Sequence, residues 1–138
     1  MNARRIASLA ALLALVATVA NAGPTPTRGW QKTIELQPAA SAGVDDVVAE
    51  GLAIVGKKNG VEYFGVRVFA KMPDGAKFVV RGEDVNGFGF MIGTMEMFLG
   101  SASLYLESAK VPSDVFPVGE LRRVSVVYGA QEVLFGTF

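Results

Sequence analysis

The chain has 138 residues, with 13 basic and 13 acidic side chains, no cysteine and no histidine. Balanced charge leaves no electrostatic footprint for nucleic acid or an anionic membrane. Without histidine or cysteine there is no Ser-His-Asp or Cys-His nucleophile, no imidazole base, no ordinary zinc site and no iron–sulfur ligation. No cofactor is expected, and no disulfide staples the fold.

The first 22 residues read as an address. Arg4 and Arg5 form a short basic head, and Ile6 to Val19 is apolar apart from Ser8 and Thr18. Ala20-Asn21-Ala22 supplies the small-x-small pattern that signal peptidase reads. The apolar run is about 14 residues long, short of the roughly 20 that a transmembrane helix needs. A cleaved signal peptide over 1–22 is therefore preferred to an uncleaved anchor. A lipoprotein is excluded because no cysteine follows the site. The export route expected is ordinary secretion, to the periplasm or outside the cell. Without Arg4 and Arg5 the remainder carries 11 basic and 13 acidic residues.

Residues 23–30 read as a flexible lead, with Trp30 placed to tack its end onto a single domain over 31–138. Lys32 to Gln37 alternates as a strand, with Ile34 and Leu36 on either side of Glu35. Pro38 to Gly43 is a loop, and Asp45-Asp46-Val47-Val48 starts at most one helical turn. The clearest local signal is a hairpin. Val47 to Lys57 is a strand, Asn59-Gly60 the turn and Val61 to Met72 the return, because Asn and Gly both tolerate the positive φ of a type I′ turn. In the return strand Phe64, Val66, Val68, Ala70 and Met72 share one face. Tyr63, Gly65, Arg67, Phe69 and Lys71 share the other. That alternation predicts a buried first face and a wet second face.

Pro73-Asp74-Gly75 is the next turn. Lys77 to Arg81 is a short strand, Asn86-Gly87 another turn, and Phe88 to Ile92 a strand whose bulky rings point one way. Gly93 to Leu99 reads as strand with a bend. Ser101 to Glu107 is a strand with Ala102, Leu104 and Leu106 inward. Val111 to Glu120, with two prolines, is the longest irregular connection. Arg122 to Tyr128 and Gln131 to Phe138 close the chain as a hairpin around Gly129-Ala130. In the last strand Leu134 and Phe138 are expected in the core, with Gly136 leaving room for a neighbour.

About eight short strands with no long helical period predict an all-β fold. The layout expected is an antiparallel β-sandwich of immunoglobulin-like size, with a closed barrel as the alternative. Several motifs accompany this order: Phe64-Gly65-Val66-Arg67-Val68, the corner Met72-Pro73-Asp74-Gly75, Gly100-Ser101-Ala102-Ser103-Leu104-Tyr105-Leu106, and the ending Val133-Leu134-Phe135-Gly136-Thr137-Phe138. Over roughly residues 47–138 the chain resembles small secreted bacterial β-sandwich domains of unknown function that end in a V-L-x-G-x-F strand. Its layout is distantly similar to that of CHRD domains. The resemblance implies a secreted β-sandwich and brings no catalytic residues; the histidines often seen in CHRD domains have no counterpart in this chain.

Candidate sites are few. Asp45/Asp46, Asp74, Glu83/Asp84 and Asp114/Glu120 are acidic clusters without the D-x-D-x-D spacing of a calcium loop, so turn formation and solvated charge account for them and no metal site is assigned. Two of these carboxylates brought 5–9 Å apart would suit glycoside hydrolysis. Alternation sends Arg122 and Arg123 to opposite faces, and with Arg67 and Lys71 they read as edge protection. Met91, Met95, Met97 and Phe98 read as core or an adaptable loop. Tyr63, Phe69 and Tyr105, with Trp30, are the candidates for a wet aromatic binding face. Phe69 stands out because it shares a face with Arg67 and Lys71, so that face is either covered or a platform.

The functional expectation is a secreted, non-catalytic β-sandwich module, with a structural or binding role toward a partner in the envelope or outside the cell. It has no nucleic-acid partner and no membrane span after signal cleavage. The alternatives are a carbohydrate- or peptide-binding domain using Tyr63, Phe69 and Tyr105, and a carboxylate-based hydrolase. Cleavage after Ala22 is expected to leave Gly23 as the first residue of the exported protein. Intact-mass spectrometry checks this, and a mass retaining residues 1–22 counts against it.

Overall fold

Eight antiparallel strands arise where turn residues interrupt alternating apolar runs. A computed structural model describes residues 29–39, 49–110 and 115–138. The strands are β1 (Trp30–Pro38), β2 (Ala49–Lys58), β3 (Val61–Ala70), β4 (Lys77–Asp84), β5 (Gly89–Glu96), β6 (Ser101–Glu107), β7 (Leu121–Tyr128) and β8 (Gln131–Thr137). A single 3-10 turn, Val118–Glu120, precedes β7. The signal segment, the Asp45/Asp46 turn, Asp114 and the first two residues expected of the second strand lie outside the described residues.

The all-β expectation is met, but the strands do not separate into two sheets. They form one sheet in the order β5-β4-β7-β8-β1-β2-β3-β6, curled into a nearly closed barrel. The reason lies in β1. Trp30 to Leu36 pairs with β2, while Gln37 and Pro38 pair with Phe135 and Leu134 of β8. One strand thus belongs to both halves and joins them. Register shifts at Val80/Arg81, Glu83/Asp84 and Val126/Val127 mark the second half. Bulges of this kind bend strands and increase their twist. The two ends of the sheet, β5 and β6, follow one another in the chain and are joined by the turn that the Phe98–Ser101 bridge closes.

The turns follow residue chemistry. Asn59 and Gly60 sit at φ 50° and 78°, and Lys58 faces Val61, which is the two-residue turn expected. Gly129, at φ 62°, opens the turn between Tyr128 and Gln131. β6 has the bounds read from sequence. β4 runs three residues further than expected, to Asp84: Gly82 and Glu83 stay paired with β5, and Asp84 pairs with Leu121 of β7. β3 stops at Ala70, short of Met72, which is half-buried against the core.

Eight strands enclose an interior just wide enough for side chains to fill. Phe64, Phe78, Leu36, Met97, Leu134, Val66, Val68, Val80, Val124 and Val126 fill it at 1% exposure or less. Glycine admits the largest neighbours. A Cβ on Gly136 would lie 2.8 Å from Ile34 Cδ1, and one on Gly82 2.9 Å from both Leu121 Cδ1 and Phe90 Cζ. Met95 and Met97 are core, whereas Met91 and Phe98 are exposed at 64% and 68%, so the methionine cluster is divided. Phe138 is half-buried and not core: β8 ends at Thr137, and the terminal ring packs on the core from its edge while its N–H donates to Arg122 O.

Gly82→Val is expected to destabilise the fold by about 1–3 kcal/mol, the usual cost of overpacking. Gly119→Ala, where a Cβ meets open space, is expected to leave the melting temperature unchanged. Thermal unfolding of both variants checks the barrel packing.

Candidate functional site

The outer face of β1, β2, β3 and β6 holds the three aromatic candidates, and it is covered. Leu52, Ile54 and Tyr63 are 3%, 1% and 4% exposed, with Phe69 and Tyr105 half-buried against them. The face expected to be wet is a second, smaller apolar cluster. Side chains of the face itself account for much of this. The Tyr63 ring lies over Gly56, its hydroxyl donates to Gln31 Oε1 at 3.0 Å, and it stacks on Tyr105 at 6.3 Å with 27° between the planes. Arg67 sits 5.6 Å from the Phe69 ring, a cation–π contact that accounts for arginine on this face. Tyr63 and Tyr105 are thus brought together as packing. Trp30, 42% exposed, opens β1 away from them.

Burial raises the pKa of both phenols above the ordinary 10.0, and at Tyr105 the Glu107 carboxylate adds to the effect.

The acidic clusters serve turns. Asp84 Oδ1 accepts the Asn86 and Phe88 N–H groups, and Asp74 Oδ1 accepts the Leu99 N–H. Glu120 is exposed. Among the described residues no three acidic side chains are placed to hold a metal.

A concave site missed by sequence lies on the outer face of β4, β7 and β8. A groove of ≈ 550 Å³ is lined by Arg81 and Glu83 of β4, Arg123, Ser125 and Val127 of β7, and Glu132 of β8. This volume falls in the range of small-ligand sites. Register builds it: Arg81 faces Ser125, Glu83 faces Arg123, and Val127 faces Glu132. Arg123 reaches along the face to Glu132, donating from Nη1 and Nη2 at 2.9 and 2.8 Å. Its guanidinium lies 4.9 Å from the Phe135 ring. The bond to Glu132 raises the Arg123 pKa, and Glu83 contributes in the same direction. Fork-to-carboxylate bonding with a ring beneath fixes the plane of this side chain. Arg81 is exposed and makes no ion pair among the described residues. Glu83 and Glu132 share the groove, but both Glu132 oxygens accept from Arg123. No residue spacing announced this site; it exists only through cross-strand pairing.

One turn is strained. Leu99 and Gly100 have φ 50° and 80°, the conformation of Asn59-Gly60, but with leucine where asparagine stands in the other turn. A bulky residue in this region is an outlier and costs on the order of 1–3 kcal/mol. Leu99 and its neighbour Phe98 are 78% and 68% exposed.

No family model matches the chain, and neither a curated protein nor a solved structure matches it.

The raised phenol pKa values set a pH dependence. An unfolded tyrosine ionises at about 10, whereas Tyr63 and Tyr105 hold their protons to higher pH in the fold. The resulting stability is complete below pH about 10 and is lost as pH rises toward the folded values. The melting temperature is therefore expected to fall above pH about 10, less steeply in Tyr105→Phe. Melting curves from pH 7 to 12 check this.

Proposed function

We propose that this chain is an exported, non-catalytic binding module, and that the charged groove over β4, β7 and β8 is its ligand-contacting surface. One observation carries the reading: Arg123 is locked in advance by Glu132 and Phe135, beside an Arg81 guanidinium that makes no ion pair among the described residues. A preset polar wall loses little freedom when a ligand arrives. The exposed guanidinium and the Ser125 hydroxyl suit a carboxylate or hydroxyl group, so the ligand class is a polar saccharide or an extended peptide. The apolar run and the Ala20-Asn21-Ala22 site support export to the periplasm or beyond. The likeness of residues 47–138 to secreted β-sandwich domains, distantly CHRD-like, fits the same reading. The aromatic face is the lesser candidate, because Tyr63 is buried and a sugar platform needs exposed coplanar rings.

Backbone amide shifts measured during titration with oligogalacturonate, and separately with a glutamate-rich peptide, test the proposal. Shifts are expected to cluster at Arg81, Glu83, Ser125 and Glu132, and to be lost in Arg81→Gln. Shifts centred on Phe69 and Tyr105 would transfer the role to the aromatic face. Silence with both probes counts against the groove.

A further inference from the structure

The turn Phe98-Leu99-Gly100-Ser101 has an internal control within the same chain. Asn59-Gly60 and Leu99-Gly100 share one backbone geometry, φ 50° and 78° against 50° and 80°. The first turn uses the residue that tolerates this region at least cost. The second uses a leucine, and the molecule supports it with bonds from a separate segment. Asp74 Oδ1 accepts the Leu99 N–H at 2.9 Å across 25 residues of sequence. Phe98 and Ser101 exchange backbone bonds of 2.8 and 3.1 Å. Met97, 1% exposed, roots the turn in the core and is bonded on both sides, donating to Ala76 O and accepting from the Gly75 N–H. The outcome is a fixed convex tip that holds two large apolar side chains in water.

What surrounds the tip identifies what it fits. Lys71, Asp74, Lys77 and Glu96 are all exposed. Asp74 touches the turn, Glu96 lies on the incoming strand opposite Lys77, and Lys71 follows Ala70, whose N–H donates to Gly100 O. Two cations and two anions make a collar without net sign. Anionic bilayers are sought by basic collars, and this collar is not basic. An apolar anchor inside a polar rim of mixed charge is the anatomy of a protein interface. A preset backbone lowers the ordering cost of entering a shaped hole.

We propose that Phe98 and Leu99 form an anchor that plugs into an apolar socket on a folded protein other than this chain. The tip shares no lining residue with the groove, so the two surfaces stand or fall separately.

The test places a photoreactive benzoyl-phenylalanine at position 98 of the full chain, in the cells that export it, with position 59 of the sister turn as control. Irradiation is expected to give one discrete protein adduct from position 98 and none from 59. In a chain also carrying Leu99→Asn, the adduct is expected to fall by about tenfold, as when one member of an anchor pair is removed. Leu99→Asn is also expected to raise the melting temperature, because asparagine relieves the left-handed strain; this shows that the loss of adduct is not unfolding. Lipid adducts alone, an adduct of twice the chain's mass, equal labelling from 59, no adduct, an adduct undiminished by Leu99→Asn, or a lowered melting temperature in that variant would each overturn the proposal.

Discussion

Everything in this molecule depends on filling one closed interior from eight strands. With no cysteine to cross-link the chain, apolar burial and backbone pairing must hold the barrel together. Curling the sheet crowds its inner face, and glycine on one strand accommodates a large side chain from the next. Gly136 receives Ile34 and Leu36, Gly82 receives Phe90 and Leu121, and Gly93 receives Leu104. The last of these contacts lies between β5 and β6, the two ends of the sheet. Among the described residues no strand ladder joins β5 to β6, so they approach there by packing beside the turn that links them.

Local chemistry made much of the fold legible. Asn59-Gly60 and Gly129-Ala130 announce turns because their residues suit positive φ, and the strands on either side follow by alternation. Ser101 to Glu107 is bounded by a glycine turn and a polar end, and its limits are plain. The distinction between sandwich and barrel is not local. It turns on Gln37 and Pro38 leaving β2 for β8, a pairing between segments almost a hundred residues apart. The outer face of β3 misled for a related reason. Arg67 and Lys71 imply water, but Arg67 rests on Phe69, and Tyr63 finds Tyr105 on a strand distant in sequence. Both make a charged or polar tip compatible with burial of the stem.

The groove was invisible for the same physical reason. Arg81, Glu83, Arg123, Ser125 and Glu132 come from three strands, and no spacing along the chain relates them. Only one hint was available: Arg123 sits on the opposite face from Arg122, and so needed a partner across the sheet. The structure gives it Glu132, while Arg122 bonds back to Gly119 O. Neighbouring arginines thus do different things, one fixing a wall and the other holding the turn before its own strand.

The two surfaces assigned to binding are built on opposite principles. In the groove two arginines and two glutamates balance: Arg123 forks onto Glu132, Glu83 faces Arg123 across the strands, and Arg81 faces Ser125. In the proposed binding role, selectivity there would rest on the exposed Arg81 guanidinium and on the shape around it. At the tip apolar surface is held in water by backbone bonds, inside a collar whose charges cancel. Asparagine at position 99, as at position 59, would relieve the left-handed strain. Leucine there, even with Asp74 accepting its N–H, makes the tip costly to the isolated domain. Backbone strain that holds apolar side chains in water is a pointer to function, which is why the exposed turn is the more telling of the two surfaces.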